Sequence, residues 1–233
     1  MSSTKIERNR LLAALSSADA ALLSLRLEPV ELRERVPLEE SNRVIEHVYF
    51  LETGIASVVA TTVGSQRIEV GLIGCEGMSG IAVVLGNRDS PSATYMQTRG
   101  SAKRIIAEDL LLAMDGNARL RGLLLRYAQV FLIQTAQTAV ANAKAKLEVR
   151  LARWLLMAHD RTADDNVELT HEILSLMLGV RRASVTEALH AFEERGQISC
   201  RRGVITVLDR EGIRKIAGRF YGVPEAEYRR LIG

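Results

Sequence analysis

Cysteine, proline and aromatic side chains are all scarce in this chain of 233 residues, which has 2 Cys, 4 Pro and only 4% Phe, Trp and Tyr together. The two cysteines, Cys75 and Cys200, stand far apart, which excludes a disulfide framework and a cysteine-held structural zinc, and a reducing cytoplasm fits that usage. No run of about 18 apolar residues occurs, so no membrane partner is expected. The opening MSSTKIERNRLLAAL is charged and amphipathic and has no signal-peptide core, so the expected location is cytoplasmic. The four histidines, His47, His159, His171 and His190, have no metal-ligand spacing, and neither a metal nor a cofactor is expected. No nucleophile with a base partner, no paired carboxylates and no phosphate-cradling loop can be named, so the chain does not read as an enzyme. The glycines of GLIGCEG follow a strand outside any βαβ context and read as turn chemistry.

One-sided charge is also missing. Against 31 Lys and Arg stand 28 Asp and Glu, a formal net charge of +3, so any surface for a polyanion must be local. Residues 1–144 hold 16 basic against 15 acidic side chains, whereas residues 170–220 hold 9 against 6. The surplus therefore sits near the C-terminus.

What is present falls into three parts: residues 1–115, 116–144 and 145–233. After a short helix over about 7–17, the stretch from about 27 to 106 is rich in β-branched residues and cut by Gly54, Gly64, Gly71 and Gly74, which predicts short antiparallel strands in a roll or barrel. Gly64-Ser65 is a hairpin-turn signal, and ATYMQT and SAKRII form a further strand pair on either side of Gly100.

Beyond Gly116 the pattern changes to a helix from Asn117 to Lys144, about 28 residues, longer than a small domain needs for its own core. Leu120, Leu124, Tyr127, Phe131 and Gln134 follow the 4-3-4-3 spacing of a two-stranded seam, which predicts a homodimer. The alternative is that this helix packs only on its own strands.

The third part carries the most specific signal. ELTHEILSLMLGV reads as a short amphipathic helix with Thr170 as N-cap, Glu172 in its first turn and Gly179 as its stop. In the following GVRRASVTEALHAFEERGQI, Val185, Leu189 and Phe192 form one apolar helical face, while Arg182, Ser184, Thr186, Glu187 and His190 lie on the other and Gly196 ends the helix. Two short helices joined by a glycine-containing turn, the second opening on basic groups, form the helix-turn-helix pattern that sets a recognition helix, here about 181–195, in the DNA major groove. QISCRRGVITVLD then reads as a hairpin of Ile198 to Cys200 and Val204 to Val207 whose turn holds Arg201, Arg202 and Gly203, a wing with a basic tip suited to phosphates.

The whole order of parts resembles the CRP/FNR family of transcription regulators (catabolite activator and fumarate-nitrate regulator). IEVGLIGCEGMSGIAVVLG, KLEVRLARWLLMAHDR and the helix-turn-helix with its wing carry the resemblance, which covers nearly the whole chain. It implies an α+β fold: an N-terminal antiparallel β-roll like a cyclic-nucleotide-binding domain, a long dimerisation helix and a C-terminal winged helix-turn-helix. It also implies a dimer that reads a palindromic operator in double-stranded DNA, with RNA polymerase as a further partner. At the positions where the family usually presents a hydroxyl cap, an arginine, a glutamate and a later arginine, this chain has Arg181, Arg182, Ala183 and Glu187. The base-contacting candidates are therefore Arg182, Ala183, Thr186 and Glu187, and the phosphate-contacting candidates are Thr170, His171, Arg181, Ser184, Arg201 and Arg202.

The sensor half departs further from the family. Where its nucleotide cassette has a Gly-Glu pair and then an Arg-Ser pair, this chain has Gly80-Ile81 and Pro91-Ser92, and losing such charge-assisted contacts costs on the order of several kcal/mol. Control by cyclic AMP is not expected, although Arg88 lies close enough in sequence to substitute, and any other small-molecule effector is unknown. An iron-sulfur sensor is not implied either, because the N-terminus lacks cysteine. Cys200, followed by two arginines that would lower its pKa, is a candidate redox switch. A competing reading is a ligand-binding regulatory module that acts through protein partners.

Overall fold

Apolar alternation in the first half of the chain is realised as two antiparallel sheets. The computed structural model describes residues 7–61, 67–162 and 164–233. In chain order its elements are α1 (Arg10–Ala13), α2 (Ser17–Ser24), β1 (Glu28–Leu32), β2 (Pro37–Glu39), β3 (His47–Leu51), β4 (Ala56–Thr61), β5 (Arg67–Ile73), α3 (Ile81–Val84), β6 (Ala93–Met96), β7 (Gly100–Ile106), α4 (Ala107–Gly116) and α5 (Ala118–Lys144). There follow α6 (Leu147–His159), β8 (Asn166–Glu168), α7 (His171–Leu178), α8 (Arg182–Glu194), β9 (Ile198–Arg201), β10 (Val204–Val207), α9 (Arg210–Ala217) and α10 (Val223–Leu231).

The N-terminal sheets run β1-β7-β3 and β2-β6-β4-β5. Leu32, Leu38, Leu51, Ala56, Ile73, Met96 and Ala102, drawn from both sheets, enclose one core together with Phe131 of α5. Among the described residues no ladder joins the two sheets, so the expected roll is a pair of sheets around a shared interior. The strands β6 and β7 on either side of Gly100 fall in different sheets and do not form a hairpin. The Gly64-Ser65 turn lies outside the described residues.

The single helix expected over 7–17 is two helices. Ser16 breaks it: its hydroxyl accepts from the Asp19 N–H at 3.2 Å and caps α2, as small polar residues do where a helix must start. Asn9 caps α1 in the same way, and its buried amide donates to Leu51 O and Gly77 O at 2.7 and 2.8 Å, fastening the N-terminus to the sheets.

The long helix runs from an Asn117 cap to Lys144, 27 residues, as expected, but its faces are exchanged. Leu120, Leu124, Tyr127 and Phe131, read as the seam toward a partner, are 0%, 1%, 3% and 8% exposed, and Gln134 is buried with them. They pack on the chain's own β domain: Phe131 fills the space over Gly71, Tyr127 that over Gly77, and the Gln134 amide exchanges hydrogen bonds with both backbone groups of Leu72 at 2.7 and 3.1 Å. The physical reason is that 4-3 spacing defines a stripe without saying what it faces, and the stripe with the larger side chains fills the domain interior. The opposite stripe, Gly122, Leu125, Gln129, Leu132, Ala136, Ala139 and Ala143, has the same heptad spacing and points outward, with Leu125 and Leu132 exposed at 42% and 51%.

The C-terminal part packs α6, α7, α8 and α9 with the sheet β8-β10-β9 around Leu151, Leu155, Leu174, Val185, Leu189, Phe192 and Ile213. Ile55 and Leu72 of the β domain belong to this same core, so the two halves are joined by packing as well as by chain. Two arginines of α6 bridge the bend after α5: Arg150 donates to Asn142 Oδ1 at 3.1 Å and also to the Leu178 carbonyl, and buried Arg153 donates to Thr138 Oγ1 at 3.1 Å. The last helix, α10, lies along α5, where Arg126 donates to Leu231 O and Tyr228 to Glu76 O, both at 2.9 Å.

Candidate nucleic-acid interface

Local capping chemistry places the helix-turn-helix. Thr170 Oγ1 accepts from the Ile173 N–H at 3.2 Å to start α7, and Gly179 ends it at φ 62°, a left-handed conformation that glycine adopts without a side-chain clash. Arg181 then occupies the N-cap of α8 with no side-chain cap bond, so its guanidinium stays free of the helix end. Val185, Leu189 and Phe192 face the core at 0% exposure, which turns Arg181, Arg182, Ala183, Glu187 and His190 outward.

Ser184 and Thr186 are half-buried instead. Thr186 Oγ1 donates to the Arg182 carbonyl at 3.1 Å and lies 2.9 Å from His171 Nδ1, a bond that ties α8 to the first turn of α7. The Thr186 hydroxyl is thus committed within the domain. His190 is exposed, like Arg182, Ala183 and Glu187, and its place on the polar face was legible in the sequence.

The wing forms where expected. Arg201 pairs with Val204 across a two-residue turn in which Arg202 and Gly203 have φ of 48° and 80°, the positive values that a type I′ hairpin needs. Arg201, Arg202 and Gly203 are exposed. Gly203 O accepts from the Leu169 N–H at 2.7 Å, which sets the wing tip beside Thr170. Thr170, His171, Thr186, Arg182 and the wing arginines thus lie on connected elements at one end of the domain.

Cys200 does not meet the expectation of an activated thiol. Burial, followed by the nearby Glu193 carboxylate, pushes its pKa up to about 11, and Glu193 also accepts from the Cys200 N–H at 2.7 Å. Arg201, its neighbour in β9, is exposed, and alternation along a strand sets successive side chains on opposite faces, while Arg202 belongs to the turn.

Of the degenerate effector positions, Gly80 and Ile81 are engaged by the chain's own groups. Ile81 packs against both cores of the β domain. The Gly80 N–H, in a left-handed residue where a Cβ would meet Val48 at 2.6 Å, donates to Glu39 Oε1 at 2.8 Å. Burial raises the pKa of Glu39, with the Gly80 and Thr94 hydrogen bonds opposing. Pro91 is exposed and Ser92 donates its N–H to Ser90 Oγ at 3.1 Å. Arg88, the residue near enough in sequence to substitute for the missing arginine, pairs with Glu108 at 2.7 Å at the surface.

Sequence reasoning missed a buried polar group between the two halves. Glu69 on β5 accepts from Ser57 Oγ at 2.6 Å and from the Trp154 Nε1–H of α6 at 2.7 Å, and burial lifts its pKa to about 7. Nearby, Arg161 and Glu76 form an ion pair at 2.8 Å with side chains 8% and 12% exposed. The available signals were a lone tryptophan and a charge inside the apolar run RIEVGLI.

Comparison with known proteins agrees with this architecture. Residues 149–216 match the family model for the Crp-like helix-turn-helix domain. A search of curated proteins finds no match. Among solved structures, FixK2 from Bradyrhizobium japonicum superposes with a TM-score of 0.70 at 14% identity, covering 82% of this chain and 98% of that one. A CRP-family transcriptional regulator from Thermus thermophilus gives 0.68 at 17% identity, covering 81% and 96%, and the c-di-GMP responsive global regulator CLP of Xanthomonas campestris gives 0.65 at 13%, covering 82% and 99%. The chain therefore carries a Crp-like helix-turn-helix within the fold of CRP/FNR-type regulators, while α10 lies beyond the matched segment.

Proposed function

We propose that the chain is a homodimeric transcription regulator that binds a palindromic operator in double-stranded DNA. The observation that carries this reading is the exposed pair Arg181 and Arg182 at the head of α8 together with the exposed pair Arg201 and Arg202 at the wing tip, on connected elements. In this reading α8 enters the major groove: Arg182 pairs bidentately with guanine, Glu187 accepts from a cytosine amine, and Ala183 and the Thr186 methyl contact thymine methyls. Arg181, Ser184, Thr170, His171, Arg201 and Arg202 hold phosphates and set the register. RNA polymerase is the next partner, and the bacterial cytoplasm is where such a protein works.

The partner subunit docks on the outward stripe of α5 around Leu125 and Leu132, not on the buried stripe. That arrangement fixes the spacing of the two reading helices at about one turn of DNA. Cyclic AMP does not control it, because Ile81, Pro91 and the Glu39 carboxylate occupy the positions that nucleotide recognition needs. The test is selection from a random duplex library with purified protein, no nucleotide added, at two salt concentrations. An enriched palindrome with a guanine in each half-site is the expected result, and salt-sensitive binding without sequence preference would count against it.

A further inference from the structure

Glu69 of β5 and Trp154 of α6 meet where the two halves of the chain dock, at a junction sealed from bulk water. Glu69 is 6% and Trp154 4% exposed, the Met177 sulfur of α7 lies 3.6 Å from the Ser57 hydroxyl, and the void beside them is about 20 Å³, room for a single water. The titratable groups facing the carboxyl are Tyr95 of β6, Arg153 of α6 and Arg161 beyond it, with Arg150 at the edge of the void; Ser57 of β4, Met177 of α7 and Thr138 of α5 bring no charge. Among the described residues none of these arginines forms an ion pair with Glu69: Arg161 is taken by Glu76, Arg153 donates to Thr138, and Arg150 donates to Asn142.

The hydrogen bonds around this carboxyl require a proton. Ser57 has one hydroxyl hydrogen and stands between two oxygens, Glu69 Oε2 at 2.6 Å and Gln97 Oε1 at 3.1 Å. Both contacts are satisfied when Glu69 supplies the second hydrogen: Oε2–H donates to Ser57, Ser57 donates to Gln97, and Oε1 is left to accept from Trp154 at 2.7 Å. Once ionised, Glu69 takes the Ser57 hydrogen and Gln97 Oε1 loses its donor. A charge without an ion pair then stays buried between the halves, which is costly.

We propose that Glu69 is a proton switch on the docking of the two halves. With the carboxyl neutral, α6 seats on β5; with it ionised, the C-terminal half lifts from the sheet domain about residues 145–146, the short link between α5 and α6. A carboxyl of pKa 4.5 when released and about 7 when docked weakens docking by about tenfold from pH 6 to pH 8, the seated form being favoured on the acid side. In the dimer, seating holds the two recognition helices at one spacing, so operator affinity falls as the halves part. That consequence rests on the DNA-binding reading above, whereas the switch itself does not.

Trp154 is the one tryptophan of the chain, so its emission reads this junction directly. Acrylamide quenching and far-ultraviolet circular dichroism are followed on the full chain, without DNA, from pH 6 to pH 8.5. As pH rises the parent should show a shift of emission to longer wavelength and a loss of shielding from acrylamide, at constant helical signal. Glu69→Gln, whose amide donates to Ser57 as the neutral carboxyl does, should stay shielded throughout. Shielding unchanged by pH in the parent, an equal loss in Glu69→Gln, or a loss that accompanies loss of helix overturns the switch. Operator affinity of the parent relative to Glu69→Gln should fall by up to about tenfold for each subunit from pH 6 to pH 8. A constant ratio beside an intact Trp154 transition overturns the operator coupling alone.

Discussion

Trp154 Nε1 donates to Glu69 Oε1 at 2.7 Å, joining α6 of the C-terminal half to β5 of the sheet domain through a carboxylate sealed from water. Burial is the main cause that lifts this carboxyl from 4.5 to about 7, with Ser57, Trp154, Arg153 and Arg161 opposing it. The folded chain therefore holds a proton that the unfolded chain releases between those two values, and stability falls as pH rises from about 4.5 to about 7 and stays lower above it. Glu69→Gln keeps an acceptor for Trp154 and removes the titration. Above pH 7 it should stabilise the protein by on the order of 3 kcal/mol. Thermal unfolding from pH 5 to pH 8 should show a falling Tm for the parent and a flatter curve for the variant; parallel curves would sink the assignment.

The helix-turn-helix was legible because its signals are local. Thr170, Gly179 and Gly203 each do in the structure what their residue type does in a short segment, and the apolar face of Val185, Leu189 and Phe192 needs no knowledge of the rest of the chain. The long helix was legible in its extent and not in its orientation, because both of its stripes repeat every 3 and 4 residues and only packing against Gly71 and Gly77 separates them. Glu39 at Gly80 and Glu69 at Trp154 pair residues 41 and 85 positions apart, and nothing in either neighbourhood encodes such a contact. Cys200 was misread for a related reason: adjacent charge in a strand lies on the opposite face from the thiol.

The two stripes of α5 make opposite predictions. Leu125→Glu with Leu132→Glu places carboxylates on the outward stripe and should convert a dimer to a folded monomer, visible as a halved mass in light scattering with an unchanged circular dichroism spectrum. Leu124→Ala, on the buried stripe, should leave the dimer intact and cost about 2–5 kcal/mol of stability. A dimer unaffected by the double glutamate would place the subunit contact elsewhere.

Calorimetry with cyclic AMP should give no heat of binding at micromolar concentrations. The Gly80 N–H already has the Glu39 carboxylate, and Ile81 is packed where a ribose hydroxyl would need an acceptor. Restoring charges alone, with Ile81→Glu and Pro91→Arg, should still fail, since the Glu39 carboxyl still holds the Gly80 N–H. A micromolar Kd for the parent would refute this account.

The two arginine pairs separate specificity from affinity. Arg182→Ala removes a bidentate base contact and should cost about 1–3 kcal/mol on the selected operator, while binding to unrelated duplex changes little. Arg201→Ala with Arg202→Ala removes two phosphate contacts, so operator and unrelated duplex should weaken together. For each subunit engaged, the slope of log K against log salt should shrink by about 2. Thr186→Val tests the internal role of that hydroxyl: it keeps a methyl group but cuts the bond to His171, so it should loosen α8 against α7 and lower Tm while operator preference is retained. If Thr186→Val instead changes the preferred base, the hydroxyl leaves His171 for DNA, and the half-site must be read with Thr186 as a hydrogen-bonding contact.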